Sequence, residues 1–336
     1  MTDIASRVAA VSVHLPETVL STEDLEARLA ARNPDVEILH GAITKLSGVR
    51  YRHIAEPGCT TVELGIAAAR KLLTEHNRSI DEIDLLIFCS VSLTLLEPAT
   101  AHAVAAGLGA SCHVFDVRNA CNSFVTAMQV ADSFIRTGTY RRVLVVAGEW
   151  TTPVMKWSFA SQEDYLAACA GYTVSDAGAA MLLEASDEPG VLGAAFGADS
   201  STWESAVVPV VQTNGTKTHQ LGDFQVDGLR FARAFAEADL SIIPKTVAEL
   251  GLSMSDFKVV CMHQPVDAVL TSLRDKFELR EDQLVRVVSD HGNSAATCLP
   301  LQLAIAVEQG RVQRGDLVAM IGLASGFSYG VVVLKW

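Results

Sequence analysis

Asp84-Leu-Leu-Ile-Phe-Cys89 and Asp256-Phe-Lys-Val-Val-Cys261 are two versions of one phrase, an acidic residue and an apolar run ending in cysteine, set 172 residues apart. Laid on itself with that shift, the chain also places Gly138, after one helix-like segment, on Gly310, after another. A short adjustment then brings Arg142-Val-Leu-Val-Val-Ala-Gly148 onto Asp316-Leu-Val-Ala-Met-Ile-Gly322. A period this long marks a duplicated domain rather than a solenoid, whose repeats are much shorter. The runs are brief, apolar throughout and separated by helical stretches, which predicts the buried strands of an α/β protein. Residues 122–136 carry Phe124, Met128, Ala131, Phe134 and Ile135 at helical spacing, and Gly138 supplies the stop. Residues 60–75 and 296–308 read the same way. The expected halves are residues 1–170 and 171–336.

Two βαβ-rich halves related by pseudo-symmetry set corresponding loops face to face, where open α/β sheets bind ligands. Under the 172-residue shift Cys121 falls on Asn293, and His263 falls on Val91, beside the end of the matching strand. The chemically interesting residues of the two halves therefore converge on their junction.

Composition narrows what that junction could serve. Of the 336 residues, 49% are hydrophobic and 19% charged, enough apolar material for an extensive core and too much for disorder. Lys and Arg number 26 against 39 Asp and Glu, a net charge of −13 that argues against nucleic acid or an anionic membrane as partner. The N-terminus is acidic, no apolar leader follows it, and no window is long enough to span a bilayer, so a cytoplasmic protein is expected. The seven cysteines (59, 89, 112, 121, 169, 261 and 298) form no CxxC pair, which suits a reducing compartment and leaves neither a disulfide framework nor a cysteine metal cage.

Cys121 lies between a strand-like run, Val114-Phe-Asp-Val117, and the helix beginning near Asn122. A thiol at a helix N-terminus meets unpaired N–H groups and the positive dipole end, which favour thiolate. The bland reading is a small buried cysteine. His263 ends a buried run in Cys261-Met-His-Gln-Pro265, a place for a satisfied core histidine or a site residue. Asn293, in His291-Gly-Asn-Ser-Ala-Ala296, is either an ordinary helix N-cap or an amide donor.

These segments carry a resemblance. Asp116-Val-x-x-Ala-Cys121, His263-Gln264, His291-Gly-Asn-Ser-Ala-Ala296 and Gly322-x-x-x-Gly326-Phe-Ser-x-Gly330 are similar to β-ketoacyl carrier-protein synthase III and its relatives, in the family's order, from about Gly48 to Trp336. The resemblance implies a five-layered αβαβα thiolase fold, a homodimer, and acyl thioesters of coenzyme A or acyl carrier protein as substrates, with no permanently bound cofactor or metal. It implies Cys121 as the nucleophile that becomes acylated, with the backbone N–H groups of Cys121 and Ser325 as its oxyanion hole. It implies His263 and Asn293 as the donors that hold the second thioester while it forms a carbon nucleophile.

The chain also departs from the housekeeping synthase. Where that enzyme has a Trp and an Arg contacting coenzyme A, this chain has Ala42 and Leu46, and His263-Gln264 is followed by Pro265-Val-Asp-Ala268. Arg274 and Lys276 are candidate carrier-docking charges or simply a solvated helix face. Met155, Trp157 and Phe159 read equally as acyl-channel lining and as core. Glu97, in Ser90-Val-Ser-x-x-Leu-Leu-Glu97-Pro98, replaces an apolar gate residue and makes the stretch resemble the condensing enzymes of olefin biosynthesis and pyrone formation, where this glutamate reaches the partner subunit's site. A carboxylate there explains how two acyl chains could be joined without decarboxylation, by removing an α-proton; a surface Glu ahead of a Pro-initiated helix is the plain alternative. Carbon–carbon condensation is the leading expectation. Acyl transfer from Cys121 to a hydroxyl or amine, and a non-catalytic ketosynthase partner subunit, are the alternatives.

Overall fold

The computed structural model describes residues 4–212 and 219–336. The elements that position the site are, in chain order, β1 (Ala5–His14), α1 (Thr61–Glu75), β2 (Leu85–Cys89), β3 (His113–Val117), α2 (Ser123–Arg136), β4 (Arg142–Glu149), β5 (Ala177–Ser186), β6 (Val191–Ala198), α3 (Ile242–Glu249), β7 (Val259–Met262), α4 (Cys298–Glu308), β8 (Leu317–Ala324) and β9 (Ser328–Lys335). The expected helices and buried strands are all present. Gly138 and Gly310 close α2 and α4 in left-handed conformations, with φ of 72° and 66°, as the repeat requires.

The first sheet runs β1-β5-β4-β2-β3, with β4, β2 and β3 parallel and β5 and β1 antiparallel to their neighbours. The second runs β7-β8-β9-β6 with the same sense of pairing. A parallel bridge from Leu284 to Val260 takes the place that β3 has in the first sheet. The two sheets are thus one topology used twice. The change from the first sheet to the second falls between Ser186 and Val191, later than residue 170, because β5 is needed to join β1 to the parallel strands.

Alternation along each strand explains the layers. Leu85, Ile87 and Cys89 of β2, Val143, Val145 and Ala147 of β4, and Val259 and Cys261 of β7 face a central cluster that also holds Phe124 and Met128 of α2 and Leu299 and Leu303 of α4. Leu86, Phe88, Leu144 and Val146 face the other way, onto Ala68, Ala69 and Leu72 of α1. Val260, Met262, Ala319 and Ile321 do the same toward Ile243 and Val247 of α3. Strands apolar on both faces need helices on both sides, and two such sheets sharing α2 and α4 between them give five layers, αβαβα. The thiolase fold expected from the sequence is the fold observed.

Candidate active site

The parallel strands of both sheets end at the same side of the shared helices, and the loops that leave them carry the candidate residues. Cys121 sits in the turn from β3 into α2. Ala120 before it is left-handed, with φ of 46°, a conformation that costs a non-glycine residue roughly 1–2 kcal/mol. Hydrogen bonds hold the turn. The Ser123 hydroxyl donates to the Ala120 carbonyl at 2.6 Å, and the Asn119 N–H donates to the Ser123 oxygen at 2.8 Å. The Asn122 side chain then reaches across to the second sheet, donating to the Ser328 hydroxyl at 3.0 Å. Gly322 makes that approach feasible, since a Cβ there would lie 2.1 Å from the Asn122 amide oxygen. The β8–β9 turn that carries Ser325 is thereby fastened to the Cys121 turn.

The state of the thiol differs from the sequence expectation. Burial pushes Cys121 up to about 12, and the Glu149 carboxylate and Cys298 add in the same direction, while the Cys121 backbone N–H lowers it by less. Desolvation outweighs the helix terminus, so the resting group is a neutral thiol rather than a thiolate.

Glu149 has no counterpart in the reading of the sequence. It is fully buried at the end of β4. One carboxylate oxygen accepts from the backbone N–H of Val91 at 2.9 Å and of Ala296 at 3.2 Å; the other accepts from the Ser90 and Ser92 hydroxyls at 3.0 Å each and from the Ser92 N–H at 3.2 Å. Burial raises its pKa and these donors draw it back. Ala296 belongs to the other half of the chain, so this carboxylate ties the loop after β2 to the loop that holds Asn293. The only local sign was an acidic residue closing an otherwise apolar strand.

His263 follows β7, its N–H donating to the Ile321 carbonyl at 3.1 Å so that the ladder extends one residue past the strand. It is buried, its Nδ1 has no hydrogen-bond partner among the described residues, and burial lowers its pKa to about 4. At neutral pH the imidazole is uncharged.

Asn293 is held by its backbone and by half of its amide. Its N–H donates to the Thr173 carbonyl at 2.7 Å and its carbonyl accepts from the Ser175 N–H at 3.0 Å. The side-chain oxygen accepts from the Ala295 N–H at 3.1 Å. The oxygen is thus held just ahead of the short turn Ala295–Thr297, whose N-cap position is Ser294, and no hydrogen bond among the described residues uses the nitrogen, which is left as a donor. The preceding residues dock the loop against the strand Tyr51–His53. Arg50 pairs with Asp290 at 2.6 Å, and a ring nitrogen of His53 lies 3.0 Å from one of His291. Asp116 of the cysteine motif is also structural, accepting the N–H groups of Thr100 and Ala101 at the start of the helix Thr100–Leu108, each at 2.8 Å.

Two family models match this chain. The model of the 3-oxoacyl-[acyl-carrier-protein] synthase III C-terminal region matches residues 247–336, and that of 3-oxoacyl-[acyl-carrier-protein] synthase III matches residues 115–200. The β-ketoacyl-[acyl-carrier-protein] synthase III of Bordetella petrii is 32% identical over 332 residues, 98% of this chain and 97% of the relative. The chain belongs to the synthase III family of condensing enzymes. The enzyme of the same name from Xanthomonas campestris is 31% identical over 99% of both chains. Among solved structures, 3-oxoacyl-[acyl-carrier-protein] synthase III of Aquifex aeolicus superposes with a TM-score of 0.83 at 25% identity, covering 99% of this chain and 100% of that one. A variant of OleA from Xanthomonas campestris shares the fold at 23% identity, with a TM-score of 0.83 and coverage of 100% and 99%.

The other expected site residues of this synthase III scaffold have the following surroundings. Met155 is buried in a satellite core with Leu25, Leu29 and Tyr165, Arg32 stacks on Trp157 at 4.7 Å, and Phe159 packs edge-on against Tyr165. Arg274 is occupied by Asp275 at 2.6 Å and Glu281 at 3.3 Å, and Lys276 donates to the Ala238 carbonyl at 3.3 Å. Arg274 is thus ion-paired within the chain, while Lys276 meets a neutral carbonyl. Glu97 and Leu96 are exposed on the loop after β2. Among the described residues no helix is long and apolar enough to cross a membrane, and no group of three or more His, Cys, Asp or Glu side chains could hold a metal.

Proposed function

We propose that Cys121 takes an acyl group from a coenzyme A or carrier-protein thioester and that His263 and Asn293 then promote a Claisen condensation with a second thioester. The observation that carries this reading is the division of labour in the Asn293 amide, whose oxygen is fixed to the Ala295 N–H and whose nitrogen is left to donate. A neutral His263 suits both halves of the reaction. It accepts the Cys121 proton as sulfur attacks the first thioester carbonyl and gives that proton to the departing carrier sulfur as its C–S bond breaks, returning to the neutral form. The Cys121 and Ser325 N–H groups receive the charge that develops on the carbonyl oxygen. In the second half, His263 Nε2–H and the Asn293 amide hold the oxygen of the incoming thioester as its α-carbon becomes nucleophilic, by losing carbon dioxide or a proton. That carbon attacks the acyl-cysteine, and Cys121 departs and is reprotonated. The acyl thioesters are substrates, and no resident cofactor enters the scheme.

Glu97 fits the proton-removing variant if the enzyme is a homodimer, where the exposed loop of Leu96 and Glu97 would enter the partner's site. Intact-protein mass spectrometry after incubation with short, long and aromatic acyl thioesters tests the proposal. One acyl adduct is expected on the native chain and none on Cys121→Ala. An unmodified native chain across the whole panel would overturn it. Adding or omitting a malonyl thioester then separates decarboxylative from head-to-head condensation, and loss of malonyl-independent product in Glu97→Ala is expected for the second.

A further inference from the structure

His263 and Asn293 must share one oxygen in the scheme above, yet thirty residues of chain separate them. Their backbones are joined by something other than sequence. Gln264, directly after His263, is fully buried and all of its side-chain capacity is used. Its oxygen accepts from the backbone N–H of Val287 at 2.9 Å and of Val288 at 3.2 Å. Its nitrogen donates to the Val285 carbonyl at 2.7 Å and to the Gln302 side-chain oxygen at 2.9 Å. Gln302, on α4 and likewise buried, returns the connection. Its oxygen also accepts the Met262 N–H at 3.1 Å, and its nitrogen donates to the carbonyls of Met262 at 2.8 Å and Cys298 at 3.0 Å.

Two facing amides therefore clamp three pieces of backbone: the last residue of β7, the segment 285–288 that leads into the Asn293 loop, and the first turn of α4. Met262 is held by both its N–H and its carbonyl, one residue before His263. Val287 and Val288 are held five to six residues before Asn293. None of these bonds touches the Cys121 turn or α2. Buried amides fully paired in this way are stiff, because every bond lost leaves a desolvated polar group behind.

We propose that Gln264 and Gln302 are positioning residues that set the spacing of His263 and Asn293, and so serve the condensation half of the reaction and not the acylation of Cys121. The inference rests on the proposed function and sharpens it, assigning the two half-reactions to separately supported parts of the site. A displacement of about 1 Å in a reacting constellation can cost on the order of 100-fold.

The test measures the two halves separately. Gln302→Leu removes both donors and the acceptor. Its rate of acyl-adduct formation, read by intact mass, should stay within about threefold of the native rate, while condensation falls by roughly 10- to 100-fold. Gln302→Glu keeps the shape and the acceptor but donates only when protonated, so its condensation rate relative to the native enzyme should rise as pH is lowered. This variant carries the test if Gln302→Leu does not fold. Equal losses in both half-reactions, no loss in either, or a Gln302→Glu deficit independent of pH would overturn the inference. A native enzyme that forms no adduct would instead overturn the proposed function, so the two failures are distinct.

Discussion

The Cys121 turn and the Asn293 turn hold corresponding places in the two halves, and they have been put to opposite uses. Both are entered through a residue with positive φ, Ala120 in one and Gly292 in the other. Both precede a helix of the shared central layer. After Cys121 the helix starts almost at once, at Ser123, whereas after Asn293 a tight turn over Ala295–Thr297 intervenes before Cys298. The first arrangement desolvates the thiol by more than the turn's N–H offsets, so sulfur stays protonated. The second supplies an N–H that immobilises one end of an amide and frees the other. The strand ends differ in the same way. β4 closes on Glu149, a buried carboxylate gripping both halves, where the matching position of β8 is Leu323. Duplication reproduced a scaffold; the chemistry diverged through a few side chains at the strand ends.

The comparison can be broken at its strongest point by Asn293→Ala. Removing one of two donors aimed at a developing oxyanion is expected to slow condensation about 100- to 1000-fold, with acylation of Cys121 almost intact. If both half-reactions fell together, Asn293 would be a structural cap and the division of labour would fail.

A second effect concerns the strand-end histidine. Burial holds His263 at about 4 in the folded chain, against an ordinary 6.5. The folded pKa is depressed, so acid favours the unfolded chain. The lost stability should appear as pH falls from 6.5 toward 4, up to roughly 3 kcal/mol from this residue. Urea unfolding at several pH values should show a shallower acid loss in His263→Gln than in the native protein; parallel curves would mean that His263 is more hydrated than its packing implies.

The smallest effect sharpens the contrast between Glu149 and Leu323. Glu149→Gln removes a negative charge that raises the Cys121 pKa. The thiol should then be alkylated faster by iodoacetamide at fixed pH, by roughly three- to tenfold, since one pKa unit is a tenfold change in thiolate. An unchanged alkylation profile would show that burial alone sets the reactivity.

Much of this was legible before any coordinates. The 172-residue repeat predicted two equivalent units, and the apolar runs at Leu85–Cys89, Val259–Met262 and Leu317–Ile321 read as strands because they are short, apolar on both faces and separated by helical stretches. Helix spacing with a terminal glycine located α2 and α4. Those signals are local, so a linear reading finds them. The break between the sheets was misplaced because β5 belongs to the first sheet through pairing with β1, a contact spanning most of the first half. Arg274 read as a carrier-docking charge or a solvated helix face; in the fold it pairs with its chain neighbour Asp275 and with Glu281, which the turn after its helix brings up.

By itself, then, the sequence determined the layer pattern, the duplication and the identity of the residues at the strand ends, since periodicity and motif order are written in neighbouring positions. Only the tertiary structure decided their state. Burial made Cys121 a thiol and His263 a neutral base, Glu149 became a tie between the halves, and the Gln264–Gln302 pair joined loops far apart in the chain. Desolvation and long-range hydrogen bonding depend on what surrounds a side chain in space, and that exists only once the two sheets have closed on their shared helices.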